Sequence, residues 1–163
     1  NEKAKVWNGH TGRHLFDLTG NWGDMGSASF SPDGERIFTG KTVWDARTGK
    51  RLLDLPGNWS RKTNASFSSD NTRIVTGGRV WDAWNGIHLY ELKEESGGVT
   101  SSTFSRDGTR IVTGSLNNAA KLWDSRTGIA LLELKGHTNI VMSVSFSSGL
   151  TGSNLGCPRR QVA

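Results

Sequence analysis

Any chemistry in this chain has to come from four histidines, one cysteine and a few glycine-flanked polar residues. His10, His14, His88 and His137 share no metal-ligand spacing of the His-x-x-x-His kind, and none stands near a plausible nucleophile in sequence. Cys157 alone makes neither an internal disulfide nor a thiolate zinc site, and beside Pro158-Arg159-Arg160 it reads as a bystander thiol. Thr39-Gly40-Lys41-Thr42 suggests a phosphate loop, but Gly34 lies one position too far upstream and no helical pattern follows. Asn58-Trp59-Ser60 and Asn64-Ala65-Ser66 fit the glycosylation sequon, yet Asn1-Glu2-Lys3 leads into no apolar signal core. No catalytic residue, metal site or cofactor is expected. What remains is recognition: Trp22 and Trp59 stand 37 positions apart, Trp59 beside Arg61 and Lys62, and Trp84 is a further indole in a turn. Aromatic residues next to cations on loops are the composition of protein-binding hot spots.

The elements that position these residues follow from internal repetition. Phe30-Ser31, Phe67-Ser68, Phe104-Ser105 and Phe146-Ser147 step by 37, 37 and 42, and so do Trp7, Trp44, Trp81 and Trp123. Between each Phe and the next Trp lie a turn and an Arg-Ile strand: Asp33-Gly34 before Arg36–Thr39, Asp70-Asn71 before Arg73–Thr76, Asp107-Gly108 before Arg110–Thr113. After each Trp comes a second turn at Thr11-Gly12, Thr48-Gly49, Asn85-Gly86 and Thr127-Gly128. The Asp-Gly and Asn-Gly pairs suit two-residue hairpins, because both residues tolerate positive φ, and the flanking runs are short and rich in Val, Ile, Phe and Thr. Each unit reads as a four-stranded antiparallel meander, the best-defined at roughly 62–67, 73–76, 79–82 and 87–92. A sheet this small cannot bury its faces alone, so successive sheets must pack face to face around an axis.

Trp44-Asp45, Trp81-Asp82 and Trp123-Asp124, with Gly136-His137 opening a further unit, resemble the signature of WD-repeat β-propellers. The stretch from Phe104 to His137 is similar to that family over its whole repeat. The resemblance covers about residues 4–147 and implies an all-β propeller that is incomplete, with about three full blades and partial blades at both ends. The repeats fall at roughly 1–20, 21–57, 58–94, 95–136 and 137–147, followed by a divergent or disordered tail over 148–163. Trp7, Trp44, Trp81 and Trp123 are expected between adjacent sheets, with Asp45, Asp82, Asp124, Gly136 and His137 as structural members of the repeat. The lack of Met, the start in mid-repeat and the lost pattern after Ser147 point to a fragment of a longer array.

Two departures from the pattern matter. Gly114 to Trp123 spans nine positions, whereas Gly40 to Trp44 and Gly77 to Trp81 span four, so two blades are expected to be distorted or three-stranded. The Asp of the family's buried network falls at Asn117 or Asn118 and its His at Asn21, Asn58 and Glu95, so no unit keeps that network whole. Arg36, Arg73 and Arg110, which recur at second-strand starts, read as solvated ends paired with Asp or Glu.

Composition limits the partners. The 163 residues carry 20 Lys+Arg against 15 Asp+Glu, a formal charge of +5 spread over equivalent repeat positions. That is weak grounds for nucleic-acid binding. Mean hydropathy is −0.50 and no window approaches a membrane span. With a single cysteine the cytoplasm is the default compartment, and the resemblance implies a non-enzymatic interaction scaffold or sensor holding protein or peptide partners on a loop face. Two alternatives are a unit whose open blade edges complete a ring between copies, and the sensor part of a kinase or nucleotide-hydrolysing signalling protein.

Overall fold

The computed structural model describes residues 4–19, 27–57, 64–94, 98–147 and the strand at 155–156. All of its regular elements are strands. A two-stranded sheet, β1 (Ala4–Trp7) with β2 (His14–Leu18), comes first. Three four-stranded antiparallel blades follow. The first is β3 (Ala28–Phe30), β4 (Arg36–Thr39), β5 (Thr42–Asp45) and β6 (Arg51–Asp54). The second is β7 (Ala65–Phe67), β8 (Arg73–Thr76), β9 (Arg79–Asp82) and β10 (His88–Glu91). The third is β11 (Val99–Phe104), β12 (Arg110–Ser115), β13 (Ala120–Asp124) and β14 (Ala130–Leu134). Last, β15 (Ser145–Phe146) pairs with β16 (Leu155–Gly156), a strand inside the stretch that the sequence pattern gives as a divergent tail.

Side chains alternate across each blade, so each presents an upstream and a downstream face. The core lies between sheets. Phe38, Val43 and Leu55 on the downstream face of the first blade meet Phe67, Ile74 and Trp81 on the upstream face of the second. Val75, Val80 and Leu92 then meet Phe104, Ile111 and Trp123 of the third. Leu18 of β2 joins Ile37 and Trp44 in the same way, and Val141 and Val144 cover Val112, Ala120 and Leu122. Each Trp of the blades stands opposite the Ile of its second strand: Ile37 and Trp44, Ile74 and Trp81, Ile111 and Trp123.

The expectation of distorted or three-stranded blades is overturned, for both short units keep four strands. The five missing residues come out of the strand ends and the connector together. β12 and β13 run for six and five residues, against four each for β4, β5, β8 and β9. The connector contracts to Gly40-Lys41 or Gly77-Gly78, with Gly40, Gly77 and Gly78 all at positive φ. These are the two-residue hairpins of the structure, and they close on the pairs Thr39 with Thr42 and Thr76 with Arg79. The turns expected to be two-residue hairpins, such as Asp33-Gly34 and Asn85-Gly86, sit instead in longer connections between β3 and β4 and between β9 and β10.

Gly78 combines a φ of +77° with a space that holds no methyl group, since an added Cβ would stand 2.9 Å from Val99 Cγ2 in the neighbouring blade. Gly78→Ala is expected to destabilise the fold by about 1–3 kcal/mol. Gly9, whose Cβ would meet nothing within 4 Å, should tolerate alanine with little change. Urea unfolding followed by tryptophan fluorescence compares the two variants.

Candidate functional site

The Asp after each blade Trp builds the turn between third and outer strands. Asp45 Oδ1 accepts hydrogen bonds from the amides of Arg47 and Thr48 and from the Thr48 hydroxyl. Asp124 repeats this with Arg126 and Thr127, and Asp82 with the amides of Trp84 and Asn85. Asn8 does the same for His10 and Thr11 after Trp7. This side-chain turn fixes the backbone while leaving the residue two positions on free to vary. That residue is His10, Arg47, Trp84 or Arg126, and all four are exposed.

The opposite corner of the same end is held by a serine–aspartate turn. Ser31 donates to Asp33 and accepts from the Arg36 amide, and Asp33 accepts from the Glu35 amide. Ser68 with Asp70 and Ser105 with Asp107 repeat the arrangement. The serine hydrogen bonds hold the Asp33 and Asp107 carboxyls below their ordinary pKa. At Asp70, partial burial pushes upward, but hydrogen bonds from Ser68 and Thr72 outweigh it and the net shift is down.

Arg36 and Arg73 are not the solvated strand ends that the sequence suggests. The Arg36 side chain is buried and crosses to the next blade, where Nη1 donates to the Ala83 carbonyl at 2.8 Å and Nη2 to the Asn71 carbonyl at 2.7 Å. Its guanidinium lies 3.9 Å from the Trp84 ring centroid and 5.6 Å from that of Phe67. Arg73 repeats this one blade on, donating to the Ser125 and Gly108 carbonyls with Phe104 at 5.3 Å. The partner is backbone rather than carboxylate, and the spacing of one repeat is what brings it there. Arg110 has the same place on the third blade and is exposed.

Sequence reasoning also missed the third blade's buried network. Trp123 Nε1 donates to Thr113 Oγ1 at 2.9 Å, Thr113 Oγ1 donates to Glu94 Oε1 at 3.0 Å, and Glu94 Oε2 pairs with Lys121 Nζ at 3.2 Å. The acid comes from Glu94, one position before the expected Glu95, which lies outside the described residues. Two adjacent glutamates give no signal of which one turns inward. Asn117 and Asn118 shape the β12–β13 connector instead: Asn117 Oδ1 accepts from the Ala119 amide, and Asn118 takes a φ of 65°. Gly136 also has positive φ, and His137 follows it half-buried.

Trp44, Trp81 and Trp123 are buried, whereas Trp7, expected in the core with them, is 54% exposed, since among the described residues no preceding sheet packs on its face. Trp84 is 63% exposed on one side and stacked on Arg36 on the other. At the equivalent junction between the second and third blades, Arg126 replaces that indole. A cleft of about 430 Å³ opens there, lined by Asp70, Arg73, Asp107, Asp124 and Arg126. Trp22, Trp59, Arg61 and Lys62 lie outside the described residues. Among the described residues no cluster of His, Cys, Asp and Glu is placed to hold a metal ion, and no helix is long and apolar enough to cross a membrane.

Successive four-stranded blades, packed through their faces and turned by Trp-Asp, define a partial β-propeller built from sequence repeats. Within it, residues 86–124 match the family described as WD domain, G-beta repeat. Among solved structures, "Structure of U3-55K" superposes with a TM-score of 0.71 at 22% identity, covering 78% of this chain and 44% of that one. "Crystal structure of RRP9 WD40 repeats" gives 0.70 and 22%, covering 78% and 43%. The chain thus spans less than half the length of either, and the likeness is one of fold. No curated protein sequence matches the chain.

Two expectations follow. Arg36→Met strands two carbonyl acceptors and is expected to cost about 2–4 kcal/mol, while Arg110→Met should fall within about 0.5 kcal/mol of the parent, as compared by denaturant midpoints. The serine–aspartate turns depress the folded pKa values below the ordinary 3.8, so the folded state binds fewer protons than the unfolded chain in acid. Their contribution is complete above that value and disappears as pH falls through the lower folded values. A melting-temperature profile should therefore be flatter below pH 4 in a triple variant with Asn at 33, 70 and 107 than in the parent.

Proposed function

We propose that this chain is a non-catalytic protein-interaction scaffold or sensor module whose blades hold a partner through the residues displayed on their turns. One observation carries the reading: the side-chain turn after each Trp has the same hydrogen-bond frame at every repeat, while the exposed residue it presents changes from His10 to Arg47, Trp84 and Arg126. A constant frame with a variable exposed position is what recognition requires, since specificity resides in the displayed side chain and the frame limits the entropy lost on binding. Trp84 is the centre of this surface. Its indole is pre-oriented by Arg36, and an exposed, rigid aromatic beside a cation is the composition of an interface anchor.

The partner that fits is a protein or peptide bringing an apolar side chain to Trp84 and mixed charge to the cleft edged by Arg126, Asp107 and Asp124. Trp22 and Trp59, with Arg61 and Lys62, belong in this proposal to a second contact area at the opposite blade end. The WD match and the propeller fold support an interaction role, and the reading places the chain in the cytoplasm.

The test is site-specific photo-crosslinking from position 84, with position 50 on the same class of turn as control. The expected result is a discrete set of protein adducts from position 84, competed by unlabelled parent chain and reduced at least tenfold when Arg126→Glu is added. Identical adduct patterns from both positions would contradict the turn-face reading.

A further inference from the structure

The junction between the first and second blades is complete in a way that the next junction is not. Arg36 holds two carbonyls of the second blade, has the Phe67 ring at 5.6 Å and the Trp84 ring at 3.9 Å, and is buried. One repeat on, Arg73 donates to the Ser125 and Gly108 carbonyls and has Phe104 at 5.3 Å in the place of Phe67. The place of Trp84 is taken by Arg126, and among the described residues no second ring lies over the Arg73 guanidinium. Arg73 is accordingly half-buried where Arg36 is buried, and it lines the cleft of about 430 Å³ at this junction. Both four-stranded blades that edge the cleft are described, so the opening comes from the residue at position 126 and not from a missing neighbour.

A planar guanidinium whose N–H groups are taken by carbonyls still has its faces for contact, and an aromatic ring is the partner it takes there, most favourably an indole. The first junction shows that the turn frame admits one. Asp82 accepts from the amides of Trp84 and Asn85 as Asp124 does from those of Arg126 and Thr127. Charge on the rim narrows the ligand further. Asp70, Asp107 and Asp124 line the cleft with Arg73 and Arg126, three acids to two cations. Although partial burial opposes it at Asp70, hydrogen bonds within the turns hold all three carboxyls below their ordinary pKa, so they are ionised at neutral pH. At Asp70 and Asp124 those hydrogen bonds converge on Oδ1, which among the described residues leaves Oδ2 of each for a donor from outside.

We infer that this cleft takes an aromatic side chain, an indole by preference, from a peptide partner in which a lysine or arginine stands next to it. The ring covers the open face of Arg73 as Trp84 covers Arg36, and the neighbouring cation pairs with the rim carboxylates. The inference rests on the turn-face reading above and names what one part of that face binds, the basic residue being a member of the mixed charge brought to this edge.

Acetyl-Trp-Lys-amide titrated into the isotope-labelled chain, with amide chemical shifts followed at residues 107–109 and 124–126, tests it. The expected result is saturable binding roughly fivefold tighter than that of acetyl-Leu-Lys-amide, which lacks the ring, or of acetyl-Trp-Glu-amide, which reverses the charge. Arg126→Trp supplies the second junction with its own indole, on a turn frame that already carries one at position 84, and should abolish the shifts while the chain stays folded. Lys50→Trp, an indole added away from the cleft, should leave the affinity within about twofold of the parent. No saturable shift at these residues, equal affinity for the three peptides, or binding that persists in Arg126→Trp would overturn the inference. Should position 84 still crosslink partners in that event, the turn-face reading stands without it; loss of those adducts as well would remove both.

Discussion

The structure depends on the contact between successive sheets. No blade has a core of its own: its strands are three to six residues long, and the buried clusters draw from two neighbouring units each. What fixes the relative position of two blades is an arginine that leaves its own strand and ends on the next blade's backbone. Arg36 does this with a buried guanidinium, two carbonyl acceptors and two aromatic rings. Hydrogen bonds from a charged donor contribute about 1.5–3 kcal/mol, and an exposed cation–π contact about 0.5–1 kcal/mol. Burying a guanidinium is costly unless its donors are satisfied; both Nη atoms of Arg36 find carbonyls while Nε is buried without a hydrogen-bond partner, so a shift in blade spacing that broke either Nη contact would add to that cost.

The rest of the molecule follows from that spacing. The turn after each Trp holds a glycine at positive φ, and in the three blades the preceding outer strand also places a ring or a branched side chain where a Cβ would stand, as Phe16 does at Gly49 and Tyr90 at Gly128. The turns themselves are held by side-chain acceptors, Ser–Asp at one corner and the Trp-Asp carboxylate at the other, so their backbones need no contact with a neighbour to keep shape. Rigid turns on a rigid stack leave a set of exposed positions free to vary, which is the basis of the proposed recognition surface.

Much of this was legible in the sequence because it is periodic. The steps of 37, 37 and 42, the Trp-Asp pairs and the Arg-Ile strands place β8, β9 and β10 within a residue of 73–76, 79–82 and 87–92, whereas the inner strand read at 62–67 begins only at Ala65. What escaped was whatever depends on two units at once. An arginine at a strand start looks solvated until the next blade's carbonyls are in place, so the roles of Arg36 and Arg73 could not be read from their own repeat. Glu94 was missed because adjacent glutamates are equivalent in sequence, and only the position of Thr113 and Lys121 selects one. The short units looked damaged because five residues were missing. Gly40 and the Gly77-Gly78 pair absorb that loss by positive φ, which shortens both strands together and preserves their pairing. Trp7 recurs at the same repeat position as its three counterparts but is followed by Asn8, and it is exposed because among the described residues no preceding sheet covers it as one covers Trp44, Trp81 and Trp123.

The claim that arginine locks the junctions between the three full blades is tested most directly by a double-mutant cycle between Arg73 and Phe104, residues of adjacent blades whose side chains meet at 5.3 Å. Stabilities of the parent, Arg73→Met, Phe104→Leu and the double variant would be measured by denaturant unfolding. The account predicts a coupling of about 0.5–1 kcal/mol, because removing either partner already breaks the shared contact. Effects that add to within about 0.3 kcal/mol would contradict it.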